Sequence, residues 1–298
     1  MTTLRAIVMT VALALSLISS RAEPQAQREG WSETIEAQPD PAIISDAAIR
    51  ERIIATGLPW RVRDRASGIE LLLVPPGGFT TRENAVVTIA APFYLGRTEV
   101  TQAQWMKLMQ TNPSKFQPSG FQATADESRD VKIRRIMSGG YTRQEAAAQV
   151  AAEQLEFSNT SEWPVDSISP QAVEAFLAKT GLSLPTESQW EYACRGATPS
   201  ERYGELEQIA WMGANADEHP HSVATKRANA FGLHDMLGNL WEWCSGPYEA
   251  STPTSSSDEM HPLRGGNWLS LPQTCTATAR TGSDAARSGY GLRVMHNP

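Results

Sequence analysis

The sequence predicts an aromatic-pinned, loop-rich domain that mixes short strands with short capped helices. Three observations carry that expectation. Nine tryptophans stand against six tyrosines in 298 residues, and each such ring pins irregular backbone by burying a large apolar area. The apolar runs are short and end in turn residues. The helical patterns open on capping boxes and close on glycine.

Length allows one large domain or two small ones. Hydrophobic residues make up 41% and charged residues 20%, the balance of an ordinary globular chain. The net charge is −7 and no basic stripe stands out, which argues against a nucleic-acid surface. Residues 1–22 read as a secretory signal: Arg5 is the positive start, Ala6–Ile18 the apolar run, and Ser20-Arg21-Ala22 a small-x-small cleavage site. That run is shorter than the roughly 20 residues a bilayer span needs. The mature protein is therefore expected outside the cytoplasm, periplasmic or secreted, with no membrane span.

Residues 23–58 are polar and proline-punctuated, with a short helical pattern at Asp46–Ala55 closed by Gly57; they read as an N-terminal arm or linker. The domain proper is expected over 59–298. Ile69–Val74, Ala85–Ala90 and Phe93–Arg97 read as strands, and Pro75-Pro76-Gly77-Gly78 as a turn. Thr101 and Gln104 form a capping box for a helix with an apolar side of Trp105, Leu108 and Met109, stopped by Asn112-Pro113. Residues 113–163 read as an insertion carrying one more boxed helix, Thr142–Phe157, with a weakly apolar face of Ala146, Val150, Ala151 and Leu155. Ser169 and Pro170 open the next helix, whose Val173, Phe176 and Leu177 face inward before Gly181. A further helix starts at the box of Thr186 and Gln189, buries Trp190 and Ala193 and ends at Gly196.

Phe231–Trp243 is the chemically pointed stretch. It sets Asp235 and Glu242 around Gly238-Asn239 and ends on Trp241 and Trp243. Hard cations take about 6–8 oxygen ligands, and a sharp turn at Gly238 offers the carbonyls of Gly238 and Leu240 between the two carboxylates. The alternative reading is two solvated acids flanking a turn. Glu187 and Glu191 share a helical face, either for acid–base work or as partners for Arg264, Arg280 and Arg293. His219-x-His221 is a weak transition-metal signal lacking a third ligand, and a solvated loop is the competing reading. Cys194, Cys244 and Cys275 permit at most one intrachain disulfide, in any of three pairings.

Taken in order, Phe93–Thr101, Pro164–Ser169, Leu184–Tyr192, Gly232–Trp243, Arg264–Trp268 and Gly291–Arg293 resemble the formylglycine-generating enzyme (sulfatase-modifying factor) family from about Gly68 to Val294. The resemblance implies an irregular α+β domain of the C-type-lectin-like kind, low in regular structure and stiffened by calcium. At matching positions the calcium ligands are the side chains of Asp235 and Glu242 and the carbonyls of Gly238 and Leu240. Asp235 stands where the family often has Asn. A second calcium site falls near Asn215–His221, a segment that is shortened here.

Family enzymes oxidise a substrate cysteine to formylglycine with oxygen and copper(I) held by two cysteines. Here the second cysteine is Cys275, but the first is Ser270, a hard oxygen where a cuprous ion selects soft sulfur. Asn267 replaces the oxygen-pocket serine and Leu271 the following histidine, while Trp241 keeps the pocket tryptophan. Cys194 keeps a family cysteine whose disulfide partner is replaced by Val294. Two readings follow. One is a calcium-stabilised exported binding or accessory module for a peptide or protein partner, without copper-dependent oxidase activity. The other is an oxygen-dependent oxidoreductase acting on a peptide or protein through Cys275, Ser270 and Trp241.

Overall fold

The computed structural model describes residues 30–117, 134, 136–156, 159–248 and 260–298. The fold is α+β. Its larger sheet has five strands in the order β1 (Ser32–Glu36), β2 (Arg61–Asp64), β3 (Glu70–Val74), β6 (Phe93–Gly96) and β13 (Met295–His296), all antiparallel. A four-stranded sheet runs β11 (Arg280–Ser283), β10 (His261–Arg264), β9 (Trp241–Trp243), β12 (Tyr290–Leu292). Two pairs complete the strands: the hairpin β4 (Gly77–Thr80) with β5 (Val86–Ile89), and β7 (Ala210–Trp211) parallel to β8 (Leu237–Gly238).

The helices include α1 (Ala47–Ile54), α2 (Gln102–Met109), α3 (Arg143–Glu156), α4 (Pro170–Thr180), α5 (Glu187–Arg195) and the short α6 (Leu206–Ile209). The expected boxes form at Thr101–Gln104, Thr142–Glu145 and Thr186–Gln189. Ser169 caps α4 and Gly181 closes it in the left-handed region. Trp105 of α2 stacks on Phe176 of α4 with ring centroids 5.0 Å apart. Ala146 of α3 is buried, whereas Val150, Ala151 and Leu155 lie outside the described side chains, as residues 1–22 lie outside the described residues.

The polar arm belongs to the fold rather than leading up to it. Ser32–Glu36 forms the edge strand β1, joined to β2 through Arg61–Glu36 and Arg63–Glu33 ion pairs of 2.9 and 2.8 Å. Trp31 lies against His296 at 4.0 Å, and Ile44, Ile49 and Ile53 enter the main core. Ordered structure thus starts before Pro59, on strands whose alternating charges gave no apolar signal. Gly77 and Gly78, expected in a turn, begin β4.

Candidate functional site

β10 runs into Gly265 and Gly266, both in the left-handed region at φ 101° and 85°. A side chain on Gly266 would stand 3.2 Å from Cys275 Sγ and 3.3 Å from Ser270 Oγ. The two groups singled out in the sequence therefore flank a single point on the backbone. Ser270 Oγ accepts from Asn267 N–H at 2.8 Å and donates to Asn267 Oδ1 at 3.1 Å, which also accepts from Leu269 N–H at 3.1 Å. The hydroxyl is engaged in both directions by Asn267.

Cys275 is fully buried. Burial pushes its thiol up to about 11, against a smaller lowering by Arg202. That guanidinium donates to the carbonyls of Cys275 (3.2 Å) and Pro272 (2.6 Å), fixing the 3-10 turn Pro272–Thr274. Trp241 is partly buried on β9, and its backbone N–H donates to Gly289 O at 2.9 Å. Gly289 in turn lies against Asn267: a Cβ there would overlap Nδ2 at 2.4 Å. Trp241, Asn267, Ser270 and Cys275 thus belong to one contiguous patch, rimmed by the exposed Leu269 and Leu271. Copper(I) does not fit it. The thiolate, not the thiol, is the ligand; the one sulfur is neutral, and the group across Gly266 is a hydroxyl.

The second constellation is the turn through Asp235, Gly238, Leu240 and Glu242. Asp235 and Asn239 adopt left-handed φ of 54° and 56°, which Asp and Asn tolerate better than most residues. Gly238 has no room for a side chain, since a Cβ would sit 2.2 Å from Trp211 O. Glu99, not anticipated from the sequence, holds the turn: its oxygens accept from Leu240 N–H at 3.0 Å and Asn239 Nδ2 at 2.8 Å.

Glu242 is engaged by other partners. Both oxygens accept from Arg293, at 2.7 to 3.1 Å, and Oε2 also accepts from Trp190 Nε1 at 2.6 Å. Arg293 also donates to Gly96 O and His234 O. It therefore pairs with Glu242 instead of with the α5 glutamates. The guanidinium supplies the cation at Glu242, and a calcium ion there would face that charge. Asp235 differs: Oδ2 accepts from Ala224 N–H at 2.7 Å, but Oδ1 is buried without a partner. This oxygen is open to a hard cation, whereas the oxygens of Glu242 are already paired. Three buried carboxylates, Glu99, Asp235 and Glu242, share this region with Arg293. Burial, then the charges of Asp235 and Glu242, raise the Glu99 carboxyl well above its usual range. Burial brings Asp235 up to about 6. Among the described residues no group of three or more His, Cys, Asp or Glu is arranged to hold a metal.

The other sequence candidates fall into structural roles. Arg264 pairs with Glu191 at 2.6 Å and Arg280 with Glu187 at 2.9 Å, so the α5 acids are ion-pair partners. His219 and His221 are not in a solvated loop: they stack between Trp163 (5.1 Å to His219) and Trp211 (3.8 Å to His221). All three cysteines are free and buried. Asp166, also missed, accepts from Gly289 N–H and Lys115 N–H, both at 2.9 Å, and so positions the segment against Asn267. No helix among the described residues is long and apolar enough to cross a membrane.

The mixed fold and this patch define a protein of the formylglycine-generating-enzyme-like class. The sulfatase-modifying factor enzyme 1-like domain model matches residues 61–298, and the chain belongs to that family. Similar proteins include the chaperone protein LppX of Paenibacillus barcinonensis, 27% identical over 271 residues, 76% of this chain and 89% of that one. The inactive C-alpha-formylglycine-generating enzyme 2 of Bos taurus is 30% identical over 154 residues (44% and 50%). The formylglycine-generating enzyme of Streptomyces coelicolor is 30% identical over 165 (45% and 52%). The chain spans about half the length of those last two. Among solved structures, PvdO from Pseudomonas aeruginosa superposes with a TM-score of 0.56 at 17% identity over 80% of this chain and 98% of that one. Treponema denticola variable protein 1 gives 0.54 at 22% over 78% and 97%. Both likenesses are of fold.

Proposed function

We propose that this chain is an extracytoplasmic binding or accessory module for a peptide or protein partner, without copper-dependent formylglycine oxidase activity. The observation that carries the reading is the Ser270 hydroxyl opposite the Cys275 thiol across Gly266. A hydroxyl and a neutral buried thiol do not replace two thiolates. The exposed side chains of Leu269 and Leu271 give the patch an apolar rim suited to a polypeptide side chain. One relative is named a chaperone and another an inactive enzyme of the family, which agrees with the reading. Export rests on the signal-like residues 1–22.

Calcium is proposed as a structural ion at Asp235 with the carbonyls of Gly238 and Leu240. Its support is the unanswered Oδ1 among buried carboxylates. Its role is confined to neutralising charge and fixing the turn.

The oxidase reading draws on the retained Cys275. A Cys-x-Pro-x-Arg peptide incubated with the protein, oxygen and copper(I) separates the two readings. Under the proposal the peptide thiol persists. Conversion to an aldehyde at turnover above one per protein would overthrow it.

A further inference from the structure

A cleft of about 490 Å³ opens between α4, the first turn of α5, the ends of β9 and β10, and β13. None of Trp241, Ser270 and Cys275 lines it. Its walls are Val173 and Leu177 from α4, Leu184, Trp243 and Met295, with the buried Cys244 thiol among them. This volume lies within the roughly 300–1,000 Å³ of small-molecule sites. Burial raises the Cys244 thiol well above its usual range, so the sulfur serves as apolar wall.

The charge of the mouth narrows the ligand. Among the described residues neither lysine nor arginine lines the cleft; its charged and titratable side chains other than the thiol are Glu174 and His261. Glu174 is exposed on α4 and makes no ion pair among the described residues. An apolar body is answered by the walls and a cationic head by the carboxylate of Glu174, whereas an anionic head meets neither lysine nor arginine, only His261 and neutral polar groups such as Ser183 and Gln189. We infer that this cleft binds a free small amphiphile with an aliphatic body and an ammonium head, the head facing Glu174.

Calorimetric titration of the full chain at low ionic strength tests this, with decyltrimethylammonium and decanoate below their micelle concentrations. The expected result is saturable one-to-one binding with a preference for the ammonium of about threefold, the size an exposed charge contributes. Glu174→Gln should remove the preference and keep the binding. Leu177→Trp, at a partly buried wall position, should abolish binding of both while circular dichroism stays native. A native protein that binds neither probe, or binds both equally whatever stands at 174 and 177, overturns the proposal.

Discussion

Arg293 grips Glu242 through Nε and Nη2 with both groups fully buried. Arg293 comes from the segment after β12 and Glu242 from the middle of β9, so the pair ties the small sheet to β6 through Gly96 O. Removing one partner of such a pair leaves an uncompensated buried charge, at a cost of about 3–5 kcal/mol. Glu242→Ala and Arg293→Leu should each destabilise by that much in urea unfolding. The double variant should lose less than the sum of the two. Losses under about 1 kcal/mol would mean the pair is not the buried contact described here.

Asp235 tests the ion. Its folded carboxyl is raised to about 6, so the fold favours the protonated acid. The penalty is absent below the unfolded value near 4 and complete above pH 6. In chelator, Asp235→Asn should raise the melting temperature at pH 7.5, by the equivalent of up to about 3 kcal/mol, and have little effect at pH 4. Added calcium should stabilise the native chain and do less for the variant. If calcium moves neither melt, there is no ion at this turn.

The helices were legible because their signals are local. Thr101 and Gln104 answer each other three residues apart, and so do Thr186 and Gln189. β1 and β2 were not, since Glu33, Glu36, Arg61 and Arg63 form an edge held by cross-strand charge pairs rather than apolar alternation. Within the site, the neighbourhood of Ser270 and Cys275 followed from the glycine pair and the family likeness. The partner of Arg293 did not. Three glutamates were within the sequence's reach, and the choice depends on the register of β9 against β12. Glu99 and Asp166 escaped for the same reason: Asn239 and Gly289 are 140 and 123 residues away from them.

His221 makes acid stability measurable. Burial lowers its imidazole to about 4, with a smaller opposing contribution from Ala216 O at 3.0 Å. The unfolded ring takes a proton near 6.5, so stability is complete above that value and is lost as pH falls toward 4. The ring is only half-buried, and solvent screening reduces the effect to about 1 kcal/mol. His221→Gln should flatten the stability profile between pH 6.5 and 4, at some cost from the lost Trp211 stack. An unchanged slope in the variant would place the titration elsewhere.

Ser270→Cys tests the patch by rebuilding what it lacks. Since Ser270 Oγ and Cys275 Sγ both stand within 3.3 Å of the Cβ point on Gly266, the variant brings two sulfurs to one face of the loop. Soft sulfur selects cuprous ion, and binding deprotonates the thiols. In anaerobic chelator competition the variant should take up one copper(I) per chain and release protons, with uptake weakening as pH falls. The native protein should take up none at the same chelator concentration. Removing the hydroxyl also frees Asn267 N–H and leaves Oδ1 only the Leu269 N–H, so Ser270→Ala serves as the control for loop disturbance and should bind no metal. Stoichiometric copper in the native chain would show that Cys275 finds a second soft donor, and the loss of sulfur at position 270 would no longer separate this protein from its oxidising relatives.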